Sequence, residues 1–151
     1  MSFWRRLKKK LDDGGFIIAV KTGCVSDVRA FLETRGADPN ATIQDGTVEA
    51  GTTVLMYAAG LGHTDVVKLL LDYGADPNGQ DVRGGTALMV AAFNGEQDVV
   101  ALLVERGAKL DTMSENGATA LRLADARKQD SVAALLRQLG ATDYGGTPFK
   151  G

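Results

Sequence analysis

Thr53-Val54-Leu55-Met56-Tyr57-Ala58-Ala59 returns as Thr86-Ala87-Leu88-Met89-Val90-Ala91-Ala92 and again as Thr119-Ala120-Leu121-Arg122-Leu123-Ala124-Asp125, each time 33 positions further on. A second motif keeps the same step: Gly74-Ala75-Asp76-Pro77-Asn78, Gly107-Ala108-Lys109-Leu110-Asp111 and Gly140-Ala141-Thr142. Two motifs holding one interval over successive copies mark stacked units, each burying its apolar face against its neighbours. An earlier copy, Gly36-Ala37-Asp38-Pro39-Asn40, follows the apolar stretches Phe16 to Val20 and Val28 to Leu32, but insertions put it out of phase. From Asn40 to Thr53 the gap is 13 against 8 from Asn78 to Thr86, so the turn over 41–52 is expected to be longer than the others. From Gly23 to Gly36 it is 13 against 12 from Gly62 to Gly74, which adds one residue near Glu33-Thr34-Arg35.

Within one unit the pattern reads as helix, turn, helix. Small and apolar residues crowd from Val54 to Ala59, Gly60-Leu61-Gly62-His63 interrupts them, and Val66-Val67 with Leu69-Leu70-Leu71 resume. Thr53, Thr86 and Thr119 precede the first helices, where a hydroxyl can accept from an otherwise unpaired N–H. Gly36, Gly74, Gly107 and Gly140 stand where a helix ends on a left-handed residue. Helices of this length do not persist alone in water, so the stack is the folding unit.

These residues resemble the ankyrin repeat. The period, the Gly-x-Thr-x-Leu-x-x-Ala-Ala start, Gly62-His63 with Val66-Val67-Lys68-Leu69-Leu70-Leu71, and Gly74-Ala75-Asp76-Pro77-Asn78 follow that family's pattern from about residue 16 to 142. The resemblance implies an all-α solenoid of helix-turn-helix units with projecting β-turn fingers, in repeats at about 16–40, 41–78, 79–111 and 112–142. The chain departs from the family's Thr-Pro-Leu-His signature, with Val54, Ala87 and Ala120 for proline and Met56, Met89 and Arg122 for histidine. These departures bear on stability more than on fold.

The resemblance further implies a non-catalytic module that binds a partner protein across a concave face, built from fingers and the outward positions of the first helices. By register those positions are Lys21, Thr22, Gly60, Leu61, Gln80, Val82, Arg83, Phe93, Asn94, Met113, Glu115, Asn116 and Arg127. Of these, Leu61, Gln80, Val82, Arg83, Phe93, Asn94, Met113, Glu115, Asn116 and Arg127 are the expected partner-binding residues. Phe93, near Arg83 and Leu61, is the expected hot spot, since large aromatics and arginines dominate interface energetics. Its alternative role is packing on the next repeat.

Bulk properties narrow the classes. With 151 residues, 44% hydrophobic and 24% charged, the chain can bury a real core. A net charge of −2 lacks the basic field that draws a protein onto nucleic acid. One cysteine, Cys24, cannot form an internal disulfide, which favours a reducing compartment; a cytoplasmic monomer is expected. Enzyme chemistry finds no convergent nucleophile and base, and no cofactor or metal is expected. The single histidine, His63, reads as hydrogen-bonded to nearby backbone, and Cys24 as a small, partly exposed side chain. Gly84-Gly85-Thr86 and Gly60-Leu61-Gly62 read as turns, since neither has the strand, glycine and lysine context of a phosphate loop.

Residues 1–15 form a basic amphipathic segment: Phe3, Trp4, Leu7 and Leu11 at helical spacings, with Arg5, Arg6, Lys8, Lys9 and Lys10 between them. Two readings stand. The segment lies on an anionic membrane or acidic surface as an adaptor, or its apolar edge covers the first repeat. The Gly-rich composition of 143–151 predicts a flexible tail.

Overall fold

The computed structural model describes residues 14–142. The amphipathic reading of Phe3, Trp4, Arg5, Arg6, Lys8, Lys9 and Lys10, and the tail at 143–151, therefore lie outside the described residues. Within them the chain forms eight helices in four successive pairs. Helix α1 runs through 14–22, α2 is Val25–Thr34, α3 Val54–Gly60, α4 Thr64–Asp72, α5 Ala87–Asn94, α6 Gln97–Glu105, α7 Ala120–Ala126 and α8 Asp130–Gln138. Among the described residues, strand-like pairing is confined to one antiparallel bridge, Thr42 with Thr53. The fold is an all-α repeat.

The first helix of three pairs starts on a threonine whose hydroxyl accepts from the residue three positions on: Thr53 from Met56 N–H at 3.1 Å, Thr86 from Met89 at 3.3 Å and Thr119 from Arg122 at 3.2 Å. Thr86 and Thr119 are buried. Removing either hydroxyl would strand an N–H away from water and cost about 1–2 kcal/mol. The second helices have no side-chain cap; each enters directly from the tight turn that ends the first. They stop at glycines with positive φ, for example Gly74 at 95° and Gly107 at 93°. Gly74 N–H donates to Leu71 O and Gly107 N–H to Val104 O, closing the last turn.

The stack has two rows. Helices α3, α5 and α7 pack on one another in the inner row, and α2, α4, α6 and α8 follow in the outer row. Ala58, Ala59, Ala91, Ala92 and Ala124 are wholly buried in the inner row, and their small side chains let neighbouring helices approach closely. Leu70, Leu103 and Leu136, one repeat apart, are fully buried between the rows. Each contributes about 1.5–3 kcal/mol by leaving water.

The long turn over 41–52 is a folded finger. Ile43 N–H donates to Thr52 O at 2.8 Å and Val54 N–H to Ala41 O at 2.9 Å, while the Ile43 side chain is buried in the core. The extension matches the sequence expectation, and the bridge that closes it is an added finding.

Candidate functional site

The fingers are built by short acidic and amide side chains that bond their own backbone. Asp81 Oδ1 accepts from Arg83 N–H at 2.9 Å and Gly85 N–H at 2.8 Å, bending 81–85 into a hairpin-like turn. Ser114, one repeat later, does the same work: its hydroxyl accepts from Ala118 N–H at 3.1 Å and donates to Asn116 Oδ1, which also accepts from Ala118 N–H. Arg122 Nη1 anchors that finger from below by donating to Gly117 O at 3.1 Å. Neighbouring fingers are then tied through the backbone, Val82 N–H to Ala50 O at 3.1 Å and Glu115 N–H to Arg83 O at 2.9 Å. The Arg83 guanidinium adds an ion pair to Glu49 at 3.2 Å.

Between two of these fingers and helices α5 and α7 lies a groove of about 430 Å³. Its floor is apolar, from Met89, Val90, Phe93 and Leu123; Arg83, Glu115 and Asn116 stand on the finger side. Phe93 is 39% exposed, and both ends of the residue are held. Arg127 stacks its guanidinium 4.5 Å from the ring centroid, and Gln129 Nε2 donates to the Phe93 carbonyl at 3.3 Å.

All ten expected partner-binding positions are exposed. Four of them, Arg83, Phe93, Glu115 and Asn116, meet in the groove, and Arg127 joins through the Phe93 ring. The others do not converge there. Gln80 Nε2 bonds Gly84 O inside its own finger, Val82 is joined through its backbone N–H, and Met113 is exposed outside the groove lining. Leu61 caps α3 and Asn94 ends α5. Of the expected trio of Phe93, Arg83 and Leu61, the first two line the groove and Leu61 is not in its lining, where Leu123 stands instead and Arg127 stacks on the Phe93 ring. Two further positions read as free surface are committed to structure. Lys21 bonds Asp45 and lies 5.1 Å from the Tyr57 ring centroid, and a Cβ on Gly60 would meet Val90 at 2.7 Å. Met89, Val90 and Leu123 were missed because an apolar residue on a first helix reads as core.

His63 Nε2 lies 3.2 Å from Lys21 O, in the preceding pair, and so acts as a cross-repeat link. Cys24 is a free, half-buried thiol whose Sγ is 3.4 Å from the Ser26 hydroxyl. Among the described residues, no three metal-binding side chains come together. The marked electrostatic perturbation lies away from the groove. The Lys21 ammonium, followed by the Thr47 hydroxyl and N–H, holds the Asp45 carboxyl well below the usual carboxylate range. Tyr73 is pushed up by its hydrogen bond to Glu33 at 2.6 Å. At the N-terminal end of the same face is a wider cleft of about 760 Å³, lined by Ile17, Ile18, Lys21, Asp38 and Asp45 among others.

Comparison with known proteins agrees with this architecture. The family description "Ankyrin repeats" matches in three copies, over residues 16–114 and 74–145. The chain is 39% identical over 75 residues to Protein HOS4 of Saccharomyces cerevisiae, which covers 50% of this chain and 6% of that protein. It is 41% identical over 73 residues to 2-5A-dependent ribonuclease of Mus musculus, covering 48% of this chain and 9% of the ribonuclease. The likeness spans less than a tenth of either relative, so their whole-protein activities are not carried with it.

Proposed function

This chain belongs to the ankyrin-repeat family, whose repeats serve as protein-interaction modules, and we propose that it binds a partner protein through the groove between its fingers and helices α5 and α7, without catalysing a reaction. The observation that carries the reading is the convergence of Arg83, Phe93, Glu115 and Asn116 on an apolar floor whose aromatic ring is stacked by Arg127 and whose backbone is tied by Gln129. A fixed aromatic loses little freedom on association, so its contact area converts efficiently into affinity. The single thiol of Cys24, which has no second cysteine in the chain, is consistent with a cytoplasmic setting for such a module.

The test is affinity capture with the intact chain beside an Arg83→Ala, Phe93→Ala variant, each single change measured separately. Phe93→Ala is expected to weaken a direct partner by about 2 kcal/mol and leave the thermal midpoint nearly unchanged. Retained binding with a large fall in midpoint would assign Phe93 to packing and withdraw the groove from this role.

A further inference from the structure

Most cations along the stack already have an acid. Lys21 pairs with Asp45, Arg29 with Glu33, Lys68 and Arg106 with Asp72, Arg83 with Glu49, and Arg137 with Asp125. Arg127 and Lys128 differ. Both are exposed, and neither contacts a carboxylate among the described residues; Arg127 instead lies flat against the Phe93 ring. Arg127 therefore sets a cation without a carboxylate partner among the described residues beside the aromatic of the groove, while Arg83, paired with Glu49, and Glu115 stand at its finger end. The groove thus has an apolar middle, a cation at its helical end that lacks a carboxylate partner among the described residues, and charges of both signs on its finger side.

We infer that the groove takes a partner segment carrying one aliphatic or aromatic side chain, with a carboxylate placed on the side that meets Arg127. This inference rests on the groove being the docking site. The apolar side chain fills the floor of Met89, Val90, Phe93 and Leu123, where it leaves water. The carboxylate approaches a guanidinium already oriented by stacking, so little side-chain freedom is lost in pairing. A basic segment of the same shape meets a like charge at the helical end, which penalises it.

The probe is a pair of short synthetic peptide pools, each with a central leucine or phenylalanine, flanked in one pool by aspartate and glutamate and in the other by lysine. Amide shifts of the isotopically labelled intact chain report where each pool binds. The acidic pool is expected to shift Met89, Val90, Phe93 and Ser114, with alanine at the centre abolishing the effect. Arg127→Gln, which removes the charge and keeps a planar group beside the ring, is expected to weaken the acidic pool about tenfold, and Arg127→Glu to reverse the preference towards lysine. Equal or tighter binding of the lysine pool to these amides in the unaltered chain would overturn the charge assignment and leave the groove standing. Shifts confined to another face, or none from either pool, would overturn both.

Discussion

The side chain of Asn78 spans the joint to the next repeat by donating from Nδ2 to the Gly107 carbonyl at 2.9 Å, and its Oδ1 accepts the Lys109 N–H at 2.8 Å. One amide thereby closes two backbone groups exposed where a second helix ends. Asn40 makes the same two contacts one joint earlier, to Gly74 O at 3.2 Å and Asp76 N–H at 2.7 Å. At the last joint the equivalent residue is Asp111, which accepts Thr142 N–H at 3.1 Å but has no N–H to offer the Gly140 carbonyl.

Two opposite outcomes follow from that ladder. Asn78→Ala removes both bonds and should lower unfolding free energy by about 1–3 kcal/mol. Asp111→Asn restores the missing donor and should raise it by about 0.5–1.5 kcal/mol. Urea unfolding of the two variants beside the parent measures both; a destabilised Asp111→Asn would show that the charge at this joint matters more than the lost bond.

The Lys21–Asp45 pair makes stability depend on pH in a definite sense. The Asp45 carboxyl is held below its ordinary value of 3.8, so its contribution is present above that pH and lost as pH falls below it. Lys21 is raised above 10.5, chiefly by the same hydrogen bond, so its share is present below that pH and lost as pH rises through the raised value. Asp45→Asn should therefore melt below the parent near neutrality, with the difference closing under strongly acidic conditions. A gap in thermal midpoint that stays constant down the acid limb would assign the loss to geometry in the long finger instead of charge.

What the sequence made legible was whatever depends on near neighbours. The caps Thr53, Thr86 and Thr119 and the stop glycines act within one turn of helix, so spacing alone identifies them. His63 was legible as structural, but its acceptor on Lys21, 42 residues away, exists only once two pairs stack. The Asn78 joint was hidden for the same reason. In the groove, exposure was readable from register, as Phe93, Arg83, Glu115 and Asn116 show. Convergence was not: Leu61 occupies a matching register position yet lies outside the lining, while Leu123 reads as core and forms part of the floor.

Lys128 is the one non-glycine among the described residues with positive φ, at 56°, in the place held one repeat earlier by Gly95 at 76° and before that by Gly62 at 71°. Left-handed backbone costs a side-chain-bearing residue about 1–2 kcal/mol, whereas glycine adds about 0.5–1 kcal/mol of backbone entropy to be lost on folding. Lys128→Gly should therefore stabilise the chain by up to about 1 kcal/mol, read as a rise in the urea denaturation midpoint. A fall in the denaturation midpoint would mean that the lysine stem contributes packing that outweighs its strain.

Glu96 occupies the place where its counterparts reach back to the preceding pair. His63 Nε2 lies 3.2 Å from Lys21 O, and Gln129 Nε2 donates to Phe93 O at 3.3 Å; the carbonyl at the matching position for Glu96 is that of Gly60. Glu96 is drawn over the same turn as the others, since a Cβ built on Gly62 would fall against its carboxylate. An ionised carboxylate can only accept, so it cannot make the bond that His63 and Gln129 supply. Glu96→Gln keeps the shape and adds the donor, and should stabilise the stack by about 0.5–1.5 kcal/mol. Glu96→Ala separates this gain from simple removal of a charge. If alanine stabilises as much as glutamine in urea unfolding, the missing hydrogen bond is not the reason, and relief of charge beside the Gly62 turn takes its place.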